Sequence, residues 1–307
     1  MWSKLWIIGL MLWMSGTNGD AFVIKREGQP VAELHRADYL LPIPGTPLVD
    51  ETKLDQHLAK LARRLNRPPV NATLDDHGRI VPEQYGQELN LDQVKLAYLD
   101  YAYGTASVQL NDPFVTVYPR VDRTLLAHVC KKRISGYVTY FNAGNANRAH
   151  NIALAAKAIN GTVVFPGEQF SFNRVVGKRT KEKGYLPAPV IVKGELSEGI
   201  GGGICQVSST LFNAVDRAGL HIVKRYSHSR EVPYVPPGRD ATVSWYGPDF
   251  VFQNRYPYPV LIRARAQHGQ VAVSVHSYPE LEHEPRHVPS ASTELPPEIR
   301  QVDSERR

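Results

Sequence analysis

Apolar residues recur at helical spacing over "KLDQHLAKLARRLNRPP", where Leu54, Leu58, Leu61 and Leu65 share one face and Pro68 with Pro69 stop the run. The spacing predicts an amphipathic helix. "VNATLDDHGRIVPEQYGQEL" instead alternates and turns at Asp76 to Gly78, which reads as a hairpin. Asn90 and Gln93 are placed to cap a second helix through Tyr101, and "VQL" with "PFVTVYPRV" follow as strands. Residues 30–125 therefore read as a compact module of short helices and strands.

A second series begins near Cys130. "ISGYVTYFNAGNANRAHNIALAAKAINGTVV" runs from a strand into a helix with Ile152, Ala155, Ala156 and Ile159 on one face, Asn147 as its N-cap and Gly161 at its end. "VVFPGEQFSFN" is a strand, a Pro-Gly turn and a strand, and "GYLPAPVIVKGELSEG" continues in the same style. Val207, Leu211, Ala214 and Ala218 then mark another helix, ended by Gly219. The fold class this implies is α+β, with two domains that each mix short helices and antiparallel strands. The expected boundaries are 30–125 and 130–277, with a polar, proline-rich disordered tail over 278–307.

The chain begins with Lys4, an apolar run from Leu5 to Met14 and a small polar stretch from Ser15 to Gly19. Residues 1–19 have the layout of a secretory signal whose core is too short to span a bilayer comfortably, with an uncleaved anchor as the alternative. That points to an extracytoplasmic protein, secreted or anchored at the cell envelope. Membrane contact beyond that segment is not expected.

Among 307 residues, 42% are apolar, the formal charge is +6 and the pI is near 9.2. The basic residues are scattered, without the aromatic interleaving of a nucleic-acid surface, so an anionic wall polymer is the simpler partner. Two cysteines exclude a disulfide scaffold, and no Cys/His spacing suits zinc. Neither a metal nor a cofactor is expected, and Cys130 and Cys205 are expected to remain unbonded.

The candidate chemistry lies in "GIGGGICQVSSTLFNA", where Cys205 follows Gly201, Gly202 and Gly203 at the start of a helix. Unpaired amides and the helix dipole there favour a thiolate, and the same amides suit an oxyanion. The alternative is a small buried cysteine beside glycines that serve close packing. "VKRYSHSREVPYVPPGRDATVSWYG" supplies His228, read at the end of a strand, and Asp240, read at the start of another. Nucleophile, base and orienting carboxylate in that order form one hypothesis. In the other, the glycine amides with Gln206, Ser208, Ser209 and Arg239 hold a peptide carboxylate without catalysis.

Three blocks, "NRAHNIALAAKAINGTVVFPGEQFSFN", "GGGICQVSSTLFNAVDRAGL" and "HSREVPYVPPGRDATV", together resemble the VanW family of bacterial envelope proteins, named from a vancomycin-resistance cluster. "LARRLNRPPVNATL" and "IVPEQYGQELNLDQV" resemble a peptidoglycan-binding domain. The resemblance implies contact with peptidoglycan or its stem peptide and an accessory role in wall metabolism or glycopeptide response. The thiol hypothesis then becomes an amidase or transpeptidase acting on that peptide.

Overall fold

The structure, a computed structural model, describes residues 20–295 except 44, 46, 76, 193 and 194. The signal or anchor expected over 1–19, the turn residue Asp76 and the last part of the tail lie outside the described residues. Helices and mainly antiparallel sheets are mixed throughout, an α+β architecture.

The chain divides into two compact units, one of residues up to 71 plus 83–120, the other of residues 72–82 plus 121 onward. The first opens with β1 (Phe22–Arg26) and β2 (Gln29–Leu34), followed by α1 (Glu51–Leu65), whose N-cap Asp50 accepts the Lys53 amide at 3.0 Å. The chain then crosses to the second unit for β3 (Thr73–Leu74) and β4 (Ile80–Val81), an antiparallel hairpin. It returns for β5 (Gly86–Leu89), α2 (Leu91–Tyr103), β6 (Val108–Asn111) and β7 (Phe114–Val117). Asn90 caps α2 through the Gln93 amide. In this unit β1 lies between antiparallel β2 and parallel β6, and Phe22, Ile24, Leu54, Leu58, Val94 and Tyr98 are buried together. The unit thus starts earlier than residue 30, and the hairpin read from the alternating pattern belongs to its neighbour.

The second unit continues with α3 (Arg123–Val129), β8 (Lys132–Tyr140), α4 (Ala146–Ile159), β9 (Thr162–Val164), β10 (Gln169–Ser171), α5 (Phe172–Val176), β11 (Pro187–Val192) and β12 (Glu195–Ile200). Next come α6 (Ile204–Arg217), β13 (His221–Lys224), β14 (Val251–Gln253), β15 (Val260–Gln267) and β16 (Gln270–Ser277). The order β8-β16-β15-β9 makes an antiparallel sheet whose inner face receives α4 and α6. Val271, Val273 and Val275 alternate inward on β16 and meet Ile152, Val207 and Leu211. Beside it, β14 pairs with both β10 and β13, so the strands flanking the Pro-Gly turn go to different sheets.

Three local expectations change. The N-cap of α4 is Asn145, which accepts the Arg148 amide, while Asn147 is already inside the helix and donates to the Pro187 carbonyl. His228 and Asp240 do not sit on strands: both lie in the irregular segment between β13 and β14, where Pro233, Pro236 and Pro237 lack the amide donors of a ladder. Finally, residues 278–295 are not a disordered tail.

In that last stretch Leu281 and Val288 are buried in the core of the unit. Lys132 donates to the Leu281 carbonyl at 2.6 Å, Arg217 to that of Val288 at 2.7 Å and Tyr137 to that of Pro289 at 2.9 Å. Composition hides such a segment because its backbone is held by distant side chains rather than by a periodic pattern. Leu281→Ala is accordingly expected to destabilise the protein by about 2–4 kcal/mol, read as a lower thermal midpoint. A loss below about 1 kcal/mol would mean that the strap is not part of the core.

Candidate functional site

The site is built around the start of α6. Gly203 is the N-cap, at φ 103°, and Gly201 has φ 88°, left-handed values that side-chain-bearing residues rarely adopt. These turns bring β12 into the helix within three residues and leave Cys205 in the first turn. Ile204 and Gln206 donate their amides back to the carbonyls of Gly201 and Gly203 at 3.3 and 3.0 Å. The Cys205 amide between them has no acceptor among the described residues.

Cys205 as a residue is of intermediate exposure. Its sulfur lies against the His228 side chain, 3.5 Å from the Val243 carbonyl oxygen and 3.8 Å from Thr242 Oγ1. His228 Nδ1 is 2.6 Å from Asp240 Oδ2, and the same oxygen accepts the His228 amide at 2.6 Å. A carboxylate accepts, so Nδ1 carries a proton and Nε2 is the nitrogen left for the thiol. Arg225 completes the line, donating to Asp240 Oδ1 at 3.1 Å and to its carbonyl at 2.6 Å. Cysteine, histidine and carboxylate read separately from the sequence therefore meet.

Electrostatics follows from this contact. Burial alone would push the Cys205 thiol up, but the hydrogen bond and charge of His228 outweigh it and hold the thiol below its ordinary value. Burial opposes charge on His228 as well, yet Cys205 and then Asp240 raise its pKa. Asp240 is held below the usual carboxylate range by the amide and ring of His228, against the opposing effect of burial. Together these shifts favour a thiolate–imidazolium pair.

The same helix also positions the carboxylate. Cys205, Ser209, Asn213 and Asp216 line one face of α6, and the last three clamp the segment carrying Asp240. Ser209 Oγ accepts the Ala241 amide at 2.9 Å while donating to the Cys205 carbonyl; Asn213 donates to the Arg239 carbonyl and accepts Arg239 Nε at 2.7 Å. Arg239 also reaches Asp216 at 2.7 Å and lies over the Phe212 ring. Its guanidinium is thus engaged in holding the loop rather than presented to a ligand.

The remaining members of the expected carboxylate cradle are packed inside the protein. A side chain on Gly202 would come 2.5 Å from the carbonyl oxygens of Ala188 and Pro189; one on Gly201 would meet Ile204 and Arg179, and one on Gly203 would meet Arg148 and Ile152. The glycines admit protein, not ligand, on that side. Gln206 is fully buried and saturated, donating to Thr139 Oγ1 and the Tyr140 carbonyl and accepting from Arg148 at 2.6 Å. Ser208 is fully buried, and its hydroxyl has no partner.

Several neighbours were not singled out in the sequence. Tyr234 lies near Ser209 and Cys205, and burial followed by the Cys205 thiolate drives its phenol well above the ordinary value. Arg179 lies within electrostatic reach of the thiol, with Nη1 on Asn173 Oδ1 at 2.8 Å and Nη2 buried without a partner. The polar stripe Ser209–Asn213–Asp216, in line with Cys205 on one face of α6, is the signal that would have found the clamp.

Residues 147–276, which contain this whole constellation, match a family model described as "VanW like protein". A protein of Bacillus subtilis (strain 168), printed as "Uncharacterized protein YoaR", is 52% identical over 280 residues, covering 91% of this chain and 92% of its own. The chain belongs to the VanW family. The "Vancomycin B-type resistance protein VanW" of Enterococcus faecalis (strain ATCC 700802 / V583) is 38% identical over 103 residues, 32% of this chain and 38% of that one. Ahead of the VanW region, residues 19–97 match a model described as "Putative peptidoglycan binding domain". No solved structure matches the chain. Among the described residues, no helix of this VanW-family protein is long and apolar enough to cross a membrane.

Proposed function

We propose that this chain is an exported cell-envelope protein that engages peptidoglycan and carries out thiol-dependent acyl transfer on its stem peptide, as amidase or transpeptidase. The observation that carries the reading is the meeting at the start of α6 of Cys205 with His228, whose Nδ1 lies 2.6 Å from Asp240 Oδ2. The peptidoglycan-binding match over residues 19–97 supports the substrate class.

In the first step the Cys205 thiolate attacks a peptide carbonyl carbon. A C–S bond forms, the negative charge moves to the carbonyl oxygen, and the unpaired Cys205 amide is positioned to stabilise it. The C–N bond then breaks as the His228 imidazolium gives its Nε2 proton to the departing amine. In the second step water, or a second amine, loses a proton to Nε2 and attacks the thioester. Sulfur leaves as thiolate, and the product is an acid or a new amide.

Asp240 keeps the imidazole in the productive tautomer and offsets its charge, and Arg225 anchors Asp240. The non-catalytic alternative, a glycine-lined carboxylate cradle, has less support because protein atoms fill the space beside those glycines. The reading is tested with labelled disaccharide-peptide fragments and intact-protein mass spectrometry. Wild type is expected to gain an acyl adduct that maps to Cys205 and to release amine, whereas Cys205→Ala binds fragments but does neither. Equal binding with no adduct and no release from either protein would leave a recognition module.

A further inference from the structure

The outer face of the β8-β16-β15-β9 sheet, together with its β15 side where Ala264, Ala266 and Val273 are also reached, bounds a cavity of about 760 Å³, which takes no part in the chemistry above. Its walls are that face, the C-terminal part of α4 and the β3–β4 hairpin, all within the second unit. Four permanent cations converge on it from three elements: Arg133 on β8, Lys157 on α4, and Arg263 with Arg265 on β15.

Among the described residues these cations have no ion-pair partner. Among the described lining residues the carboxylate is that of Asp75, and its oxygens are occupied by Arg79 Nε at 2.7 Å and the amides of His77 and Arg79. Arg263, Arg265 and Lys157 have neither a hydrogen bond nor an ion pair among the described residues, and Arg133 gives only its Nε to the Ser135 carbonyl at 3.1 Å. Four cations against one lining carboxylate among the described residues leave a net positive local potential that attracts anions.

The floor is shaped for the arginines. At Gly136 a side chain would overlap the Arg133 guanidinium, so the glycine lets it lie flat on the sheet. At the hairpin turn Gly78 has φ +79°, and a Cβ there would come 2.9 Å from Arg263 Nη2. His276 is bonded through Nε2 to Ser274 Oγ at 3.0 Å and lies against the Cys130 backbone. The site therefore combines cations without an ion-pair partner among the described residues with a cleared floor.

We propose that this cavity binds the phosphodiester groups of an anionic polymer. Guanidinium forks match phosphate oxygens in pairs, and Arg263 with Arg265, two residues apart on one strand, present charges about 7 Å apart. That row suits a repeating anion better than one carboxylate. The assignment is independent of Cys205 chemistry.

The test uses the full chain and a fluorescent glycerol-phosphate oligomer followed by anisotropy across a salt series. Binding is expected, weakening linearly in log affinity against log salt, and R263Q/R265Q is expected to lower affinity on the order of tenfold or more. K224Q/R255Q removes the same charge from exposed positions elsewhere and is expected to change affinity by less than about twofold. Lys157→Gln provides a single change on the exposed face of α4 and is expected to weaken binding in the same direction. Equal losses in the two double variants, or equally tight binding of polyglutamate, would overturn the proposal. So would capture by phosphatidylglycerol vesicles without binding of the free oligomer, which would assign the cations to a lipid surface. Alkylation of Cys205 is expected to be unaltered in R263Q/R265Q, so failure of the anion site and failure of the thiol chemistry are read separately.

Discussion

His228→Asn is expected to abolish the proposed acyl transfer and to return the alkylation of Cys205 to that of an ordinary thiol. In wild type the thiol is held below its usual value chiefly by His228, against burial, while the imidazole is raised by Cys205 and Asp240. Thiolate is present above the depressed thiol pKa and imidazolium below the raised histidine pKa, so the reactive pair occupies the window between them. Activity therefore rises with pH through the first and falls through the second. Without His228 the iodoacetamide rate should climb about tenfold per pH unit below the ordinary thiol range, whereas the wild-type rate changes less over that interval. Parallel profiles for the two proteins would contradict a functional pair.

Asp240 adds a stability effect of definite sign. Its folded pKa is depressed, so its contribution is present at neutral pH and lost as pH falls through the folded value.

Gly202→Val unfolds or severely destabilises the second unit, by about 3 kcal/mol or more. The reason is contact rather than backbone conformation: the added Cβ would press on the carbonyl oxygens of Ala188 and Pro189, and Asn151 already donates to the Gly202 carbonyl at 3.1 Å. Gly161 supplies the control. It has φ +81° but open space where a Cβ would project, so Gly161→Ala should cost only about 1 kcal/mol. Thermal unfolding of the two variants separates packing from dihedral strain. Similar midpoints for both would remove the packing account of the glycine run.

The helices were legible because their apolar faces repeat: Leu54, Leu58 and Leu61 on α1, and Val207, Leu211 and Ala214 on α6, are all buried. Cys205, His228 and Asp240 were legible as residue types in an order that suits thiol chemistry. Their meeting was not, since it depends on a proline-rich loop folding back onto α6 through Ser209, Asn213 and Asp216. The glycines were misleading for a related reason. A missing side chain looks the same in sequence whether the space is kept for a ligand or filled by a neighbouring strand. The segment after β16 escaped because two buried apolar residues seven positions apart, Leu281 and Val288, leave no periodicity to detect.

The excursion of residues 72–82 makes the two units neighbours along the chain at three places, at 71/72, 82/83 and 120/121. No single cut separates them. A fragment ending near residue 120 carries a hairpin whose native partners have been removed, and a fragment beginning near residue 121 lacks a wall of the cationic cavity. To isolate the peptidoglycan-binding region, Asn71 must be joined to Glu83 by a short linker, and its counterpart needs the hairpin supplied as a fused or added peptide. Gene dissection at the obvious midpoint would thus report two defective pieces from a protein whose halves are each intact, and loss of wall binding in such a piece would measure the cut rather than the surface.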